Sequence, residues 1–159
     1  MTSTVARAAH DFLGQKRIAV AGVSREPAAH GGNVVYRRLR ERGYEVFAVN
    51  PNAETVEGDT CYHDLASIPG GVDAVVIATN PRDTPSVVDE CRSLGIQRVW
   101  MHRSFGGGSV DAGSVRAGRE AGITVIAGGC PLMFEPTDDT FPRCMGWVVG
   151  HTGSRPTAG

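Results

Sequence analysis

The 159-residue sequence has little that would direct it to a membrane, to secretion or to nucleic acid. It contains no apolar run close to the ~20 residues of a membrane-spanning helix, and its first residues lack the apolar core of a secretory signal. The formal net charge at pH 7 is −1, so no excess of positive charge favours nucleic acid or an acidic membrane surface. We therefore expect a cytoplasmic protein without a nucleic-acid or membrane partner.

Cysteines are also few, and none of them forms a C-x-x-C pair. They stand far apart in the sequence, at Cys61, Cys91, Cys130 and Cys144. This spacing argues against a disulfide framework and against a structural zinc site, and reduced thiols fit the cytoplasm. We expect no metal site.

The sequence does contain a regular alternation of short apolar runs and helical stretches. The apolar runs predict strands at residues 17–23, 44–49, 73–79, 98–101 and 123–126. Helices are predicted at residues 4–14, 33–42, 83–94 and 109–122, the third capped by Asp83 or Thr84. The segment 55–63 is interpreted as loose and 64–69 as a short helical turn. On the helix 33–42 we expect Val34, Val35 and Leu39 to face inward and Arg42 to face outward.

Alternating strands and helices with short connections imply a parallel sheet with right-handed crossovers. The predicted fold is α/β, a Rossmann-like doubly wound parallel sheet of about five strands in three α/β/α layers. Residues 1–135 are assigned to this domain, and 136–159 to a C-terminal extension whose last residues we expect to be disordered. Apolar residues of the extension predict contact with an edge of the same domain or, in a homodimer, with a second copy.

The stretch 17–33 combines a strand, a turn of small residues and a helix that opens with glycine. Gly22-Val23-Ser24 follows the strand, and Gly31 begins the glycine pair. Such a junction presents free backbone N–H groups and the positive end of the helix dipole to an anion. The Ser24 hydroxyl and the guanidinium of Arg25 or Arg82 suit a phosphate. We predict a phosphate-bearing ligand here, and expect Gly22→Val and Ser24→Tyr to block the loop without disturbing the fold.

Polar and turn residues also stand where the other predicted strands end. They are Asn50-Pro51, Asn80-Pro81-Arg82, His102-Arg103 and Cys130-Pro131. In doubly wound sheets, ligands bind beyond the carboxyl ends of the strands, near the point where the strand order reverses. The predicted site therefore lies along this edge of the sheet.

Two common nucleotide-binding motifs are absent. The dinucleotide fingerprint G-x-G-x-x-G requires glycine where Ser24 stands, and Asn50 occupies the place of the acidic residue that holds the ribose. No Gly-Lys-Ser/Thr of a P-loop follows any predicted strand. These absences disfavour an NAD(P)- or other nucleotide-binding, oxidoreductase-like domain, which is kept as the alternative.

Several short motifs, taken in order, resemble the CoA-binding domain family of small stand-alone proteins. They are Gly22-Val23-Ser24, Val49-Asn50-Pro51, Cys61-Tyr62 and Cys130-Pro131, and the likeness extends from Phe12 to Phe134. The same domain forms the N-terminal part of the succinyl-CoA synthetase α subunit and of acyl-CoA synthetases of the ADP-forming type. The resemblance implies that coenzyme A, or an acyl-CoA, lies across the strand ends.

The resemblance also implies which residues meet the ligand. The phosphate end of CoA would meet Gly22, Val23, Ser24 and Arg25, with Gly31 opening the helix behind them. The adenine and ribose would lie beside Asn50 and Pro51, while Thr79, Asn80, Pro81 and Arg82 would run along the ligand. The sequence departs from the family's pattern at residues 102–108, where His102 and Arg103 begin a glycine-rich loop. This loop either holds a further anionic group or simply connects to the next helix.

No catalytic residue is assigned from the sequence. Cys130, before Pro131, and His102 are the side chains that could support nucleophilic chemistry. The pattern favours a small buried thiol at a tight turn and a histidine that hydrogen-bonds within its loop. We therefore expect a non-catalytic carrier, sensor or accessory protein that binds CoA or an acyl-CoA.

Overall fold

The computed structural model describes residues 4–26, 31–103, 108–134 and 157–158. Its helices are α1 (Thr4–Leu13), α2 (Gly31–Glu41), α3 (Thr84–Leu94) and α4 (Ala112–Glu120), and short 3₁₀ turns lie at Pro81–Asp83 and Pro131–Met133. Its strands are β1 (Arg17–Ala21), β2 (Glu45–Val49), β3 (Thr55–Val56), β4 (Asp59–Tyr62), β5 (Ala74–Ile77), β6 (Arg98–Met101), β7 (Thr124–Ala127) and β8 (Thr157–Ala158).

The strands form a single sheet in the order β3-β4-β2-β1-β5-β6-β7-β8. Neighbours from β4 to β7 are parallel, whereas the short edge strands β3 and β8 pair antiparallel with β4 and β7. The predicted Rossmann-like parallel sheet is confirmed, and its five predicted strands correspond to β1, β2, β5, β6 and β7. The strand β4 extends the parallel part of the sheet beyond β2.

The central strands of the sheet consist of continuous apolar runs, as expected for strands that are covered on both faces. Every residue of β5 and the last four of β1 are buried, because helices cover both faces. One apolar cluster packs α1 and α2 against the sheet around Trp100, and a second packs α3 and α4 against its opposite face. The three-layer α/β/α arrangement is therefore confirmed.

Capping residues fix where the helices begin. α4 begins at Ala112, three residues later than the predicted 109, because the carboxylate of Asp111 accepts a hydrogen bond of 2.9 Å from the backbone N–H of Ser114. Asp83 precedes α3 without making a side-chain cap, so the predicted cap by Asp83 or Thr84 is absent. The capping bond lies earlier, where Asn80 accepts from the N–H of Arg82 in the 3₁₀ turn.

Two side chains of the predicted helix 33–42 face the opposite way from the prediction. Val34 is 41% exposed, whereas Arg42, just after the helix, is only 4% exposed. The guanidinium of Arg42 donates to the carbonyl oxygens of Leu132 and Phe134, at 3.3 and 3.2 Å. Arg42 is therefore buried because carbonyl oxygens after β7 accept its hydrogen bonds. Helical periodicity cannot predict this, because these acceptors are distant in the sequence.

The segment predicted to be loose is a hairpin. β3 and β4 pair around a turn at Glu57, which has a φ of +51°, and β4 then pairs with β2. Residues 64–69, expected to form a helical turn, are bends and turns without a helix. Within the stretch expected to be disordered, Thr157–Ala158 pair with β7 as a strand. None of the described helices is both long and apolar enough to cross a membrane.

Candidate functional site

The strand order reverses between β1 and β5, and the segments that follow these strands meet at the carboxyl edge of the sheet. Gly22, after β1, has a φ of +98°. A Cβ placed on it would lie 2.5 Å from the carbonyl oxygen of Ala78, which follows β5. A Cβ on Gly32 in α2 would lie 2.9 Å from the carbonyl oxygen of Gly22. Glycine therefore lets three backbone segments converge at the reversal point, the usual ligand position of this fold.

A cleft of about 670 Å³ opens at this point. Its volume lies within the range of small-molecule and cofactor sites. The cleft is lined by residues from the ends of β1, β2, β4 and β5 and from α3. Among its lining residues are six of the sequence-predicted ligand contacts: Gly22, Ser24, Asn50, Pro51, Thr79 and Asn80.

One wall of the cleft comes from α3 and the residue before it. Asp83, Ser86, Val87 and Glu90 line the cleft at spacings of three, four and seven residues. These spacings place side chains on one face of a helix, while Val88 and Cys91 on another face enter the core. The sequence analysis considered only the loops, although the periodicity of this helix could have indicated that a second face is available to a ligand.

Another missed part of the site follows β4. His63 and Asp64 line the cleft because β4 runs parallel to β2, so both strands deliver their following residues to the same edge. The Asp64 carboxylate accepts from the hydroxyl and backbone N–H of Ser67, and these hydrogen bonds hold its pKa below the usual range. The unrecognised hairpin is the reason that these residues were not predicted.

The described lining of the cleft is acidic rather than basic. Asp64, Asp83 and Glu90 line it together with His63, and no lysine or arginine lies among the described lining residues. The Glu90 carboxylate accepts hydrogen bonds from the backbone N–H groups of Leu65 and Ala66, at 3.0 and 3.3 Å. This half of the cleft suits ligand groups that donate hydrogen bonds, such as hydroxyl, amino and amide N–H groups.

The loop after β1 differs in one respect from the predicted anion loop. Its N–H groups at Gly22, Ser24 and Glu26 already have acceptors: the carbonyl of Val49 at 2.9 Å, Asn33 Oδ1 at 2.8 Å and Ser24 Oγ at 3.0 Å. The Ser24 hydroxyl hydrogen remains a donor even though its oxygen accepts. In this conformation, an anion at the loop would meet that hydroxyl and the positive end of α2 rather than these three N–H groups.

Several predicted contacts lie outside the cleft lining. Val23 is fully buried in the core. Arg25 and Arg82 are exposed, and Pro81 lies half-buried in the 3₁₀ turn beside the cleft. The structure brings Gly31 and His102 together, since a Cβ on Gly31 would lie 2.9 Å from His102 Cε1.

The loop after β6 is anchored by backbone hydrogen bonds where it begins. The N–H of His102 donates to the carbonyl of Ile77, and that of Arg103 to the carbonyl of Gly129. Burial lowers the pKa of His102. Cys130 is also buried, at 9% exposure. Residues 104–107 lie outside the described residues. The structure therefore does not test whether this loop holds a further anionic group.

Buried hydroxyl groups position Thr79 at the cleft. Ser109 Oγ donates to the carbonyl of Thr79 at 2.7 Å, and Thr84 Oγ1 donates to the carbonyl of Ser109 at 2.7 Å. Thr84 and Ser109 are almost completely buried. The loop after β5 is thereby fixed to the chain that follows β6, a long-range contact with no signal in the local sequence.

The lining of the cleft combines several kinds of hydrogen-bonding group. Hydroxyl, amide and carboxylate groups surround a volume of about 670 Å³. Among the described residues, no group of three or more His, Cys, Asp or Glu side chains is arranged to hold a metal ion.

Comparison with known proteins gives a consistent result. Residues 16–136 match the model of a family described as CoA binding domain. The chain is 35% identical over 89 residues to an ADP-forming acetate–CoA ligase II of Archaeoglobus fulgidus, which covers 55% of this chain but only 13% of the ligase. It is also 29% identical over 115 residues to the uncharacterized protein YneT of Bacillus subtilis, covering 72% of this chain and 82% of that protein.

Solved structures share the fold. A hypothetical protein from Pyrococcus horikoshii superposes with a TM-score of 0.69 at 27% identity, covering 77% of this chain and 83% of that one. The apo form of a dinucleotide-forming acetyl-coenzyme A synthetase from Ca. Korarchaeum cryptofilum has a TM-score of 0.59 at 27% identity. That match covers 69% of this chain and 25% of the synthetase. The chain therefore spans a small part of the synthetases and most of the smaller relatives.

Proposed function

The chain belongs to the CoA-binding domain family, and on that premise we propose that it binds coenzyme A or an acyl-CoA in the cleft at the carboxyl ends of β1, β2, β4 and β5. The observation that supports this most directly is the position of the cleft. It opens where the strand order reverses, and six residues of the predicted contact set line it.

The charges along the cleft suggest how the ligand is oriented. The phosphates belong near the Ser24 hydroxyl and the N-terminus of α2, with Arg25 at the surface as a counter-charge. The adenosine belongs beside Asn50 and Pro51, where nearby carboxylates can accept from its amino and hydroxyl groups. We propose the six lining residues of the predicted set as direct ligand contacts. The other seven lie outside the cleft lining and remain predictions of the sequence, and Val23 among them would contribute only its backbone, since its side chain is buried.

The proposed role is that of a non-catalytic carrier, sensor or accessory protein. The two side chains considered for catalysis, Cys130 and His102, are buried and do not line the cleft. A cytoplasmic location, a homodimer and a domain boundary near residue 135 remain predictions of the sequence.

An NAD(P)-type ligand remains the second candidate for one specific reason. Asn50 does not supply the acidic group that usually holds a ribose, but Asp64 follows the next parallel strand, β4, and lines the same cleft. A carboxylate is thus present at this edge even though the fingerprint sequence is absent.

Thermal unfolding with a panel of CoA, acetyl-CoA, dephospho-CoA, NAD, NADP and ATP tests the ligand class. A ligand that binds only the folded state adds about 2.7 kcal/mol to the free energy of unfolding at a hundredfold excess over its Kd. We expect stabilisation by CoA and acetyl-CoA. Stabilisation by NAD or NADP alone would replace the proposal with the second candidate, and stabilisation by no member of the panel would refute both.

A matched pair of variants on α3 tests the place of binding. Ser86 and Ser93 are both exposed, but only Ser86 lines the cleft. We expect Ser86→Trp to fill part of the cleft and weaken CoA binding at least tenfold, while Ser93→Trp binds as the parent does. Equal binding by all three proteins, measured by calorimetry, would show that CoA does not occupy this cleft.

A further inference from the structure

Asn33, in the first turns of α2, is completely buried, and its side chain joins three parts of the molecule. Its Oδ1 accepts from the N–H of Ser24 at 2.8 Å, and its Nδ2 donates to the carbonyl of Ser24 at 2.8 Å. Nδ2 also donates to Glu57 Oε1 at 2.9 Å. One carboxamide thus connects the loop after β1, the helix α2 and the β3–β4 turn.

Only a carboxamide of this size can make this set of hydrogen bonds. The backbone of Ser24 presents a donor and an acceptor side by side, and the amide supplies the complementary acceptor and donor. A carboxylate would offer acceptors alone, and an aliphatic side chain would leave both groups of Ser24 without their partner. The residue type is therefore fixed by the shape of the loop.

Glu57 determines which way the amide of Asn33 points. Its carboxylate lies 3.1 Å from Arg37 Nη1 in an ion pair. A carboxylate can accept hydrogen bonds but cannot donate them, so it requires the N–H groups of the Asn33 amide on its side. A flipped amide would place Oδ1 against this carboxylate and against the carbonyl of Ser24, leaving Nδ2 opposite the N–H of Ser24. The hydrogen-bond network accordingly admits one orientation, the one that holds Ser24.

The loop is held from its other side by a residue of the cleft. Asn50 Nδ2 donates to the carbonyl of Val23 at 2.9 Å, and Asn50 itself lines the cleft. Asn33 does not line it. The two asparagines therefore differ in role, because a ligand can reach Asn50 directly but can be affected by Asn33 only through Ser24.

We infer that Asn33 is a positioning residue of the proposed CoA site, which holds Ser24 in the conformation that presents its hydroxyl to the ligand. This inference rests on the proposed function. It assigns a binding role to a residue that would touch no ligand atom. Glu57, held in its ion pair with Arg37, in turn fixes the side chain of Asn33.

Calorimetric titration of the full chain with CoA, beside urea unfolding, tests the inference with a matched control. Asn33→Leu removes every hydrogen bond to Ser24. Tyr36→Phe, on the same helix, removes a buried hydroxyl that donates to Asp59 of the same hairpin, but it leaves the loop untouched. We expect both variants to unfold at lower urea concentration, yet only Asn33→Leu to raise the Kd for CoA, by at least tenfold.

A second variant remains informative if Asn33→Leu does not fold. In Asn33→Asp, the complete burial of the position and the carboxylate of Glu57 raise the pKa of the introduced carboxyl group, against the opposing charge of Arg37, which is already paired with Glu57. Its protonated form regains one donor beside one acceptor, as in the amide. We therefore expect the ratio of variant to parent Kd to fall by at least threefold between pH 8 and pH 5.5.

The outcomes separate the inference from the proposed function. If the parent binds CoA and Asn33→Leu binds it equally well, or if the Kd ratio of Asn33→Asp does not change with pH, the inference is wrong and the proposed function stands. A similar rise in Kd for Asn33→Leu and Tyr36→Phe would also overturn it, because stability alone would then explain the effect. If the parent binds no CoA, the proposed function fails and the inference fails with it.

Discussion

At the scale of single residues, Gly22 shows how strongly the site depends on close backbone packing. The sequence suggested that Gly22→Val would leave the fold intact, because the residue lies outside the predicted core. This expectation was wrong. The residue has a φ of +98°, and a Cβ would lie 2.5 Å from the carbonyl oxygen of Ala78. Any larger residue must therefore separate the segments that follow β1 and β5.

Substitution of Gly22 by alanine should accordingly destabilise the fold and not only the site. An unfavourable backbone conformation costs about 1–3 kcal/mol by itself, and the contact with Ala78 adds to that cost. Gly95→Ala is the control, since Gly95 has a φ of +73° but open space around its Cβ position. Urea unfolding should show the larger loss for Gly22→Ala; an equal or smaller loss would contradict the packing argument.

His102 gives the protein a predictable response to mild acid. Burial lowers its pKa below the ordinary value of about 6.5, so the unfolded chain takes up the proton more readily than the folded one. The stability from this residue is therefore complete above about pH 6.5 and declines as the pH falls from there towards the lower pKa of the folded state.

Urea unfolding at pH 7.5 and pH 5.5 checks this prediction. The parent should lose more of its free energy of unfolding between the two pH values than His102→Gln. The carboxyl groups with lowered pKa values, Asp59, Asp64 and Asp111, titrate well below this window and are common to both proteins. Equal losses in both proteins would show that His102 is not responsible.

At the scale of elements, α4 contains two glycines with different surroundings. A Cβ on Gly118 would lie 2.9 Å from Val125 Cγ2 of β7, so the absence of a side chain lets the helix approach the sheet. A Cβ on Gly113 would meet only Asp111 Oδ2, at 3.6 Å. The helix Ala112–Glu120 is continuous through both glycines.

Alanine at these two glycines should have opposite effects. Gly113→Ala should raise the free energy of unfolding by up to about 1 kcal/mol, because alanine is the better helix former. Gly118→Ala should lower the free energy of unfolding. Overpacking a core costs about 1–3 kcal/mol, which outweighs the gain from alanine's higher helix propensity. Stabilisation by both substitutions in urea unfolding would mean that α4 can move away from β7 at little cost.

At the scale of the whole molecule, both apolar clusters of the described residues precede the C-terminal extension. The residues of both apolar clusters lie between Ala8 and Phe134. Phe134 stacks edge-on against the buried Trp100, with ring centroids 5.4 Å apart. Within residues 135–159, the structure describes only Thr157–Ala158, which pair with β7.

Truncation tests the predicted domain boundary at residue 135. A chain that ends there should keep a single cooperative unfolding transition with a lower midpoint, because it loses β8 but keeps both clusters. A chain that ends at Gly129 should lose far more stability, since it lacks Phe134 and the two carbonyls that accept from Arg42. Loss of cooperative unfolding in the longer chain would place the boundary further along the sequence.

The sequence by itself determined the layers of the fold and the edge that carries the site. Uninterrupted apolar runs predicted the five parallel strands, and the glycine, polar and turn residues at the ends of these strands predicted six lining residues of the cleft. Both kinds of signal are local in the sequence. Only the tertiary structure decided the acidic wall of α3, the inward turn of Arg42 and the parallel strand β4 that brings His63 and Asp64 to the site. It also decided that Asn33 holds Ser24. Each of these depends on partners between 9 and 92 residues away in the chain, and neither periodicity nor spacing records which distant groups meet once the chain has folded.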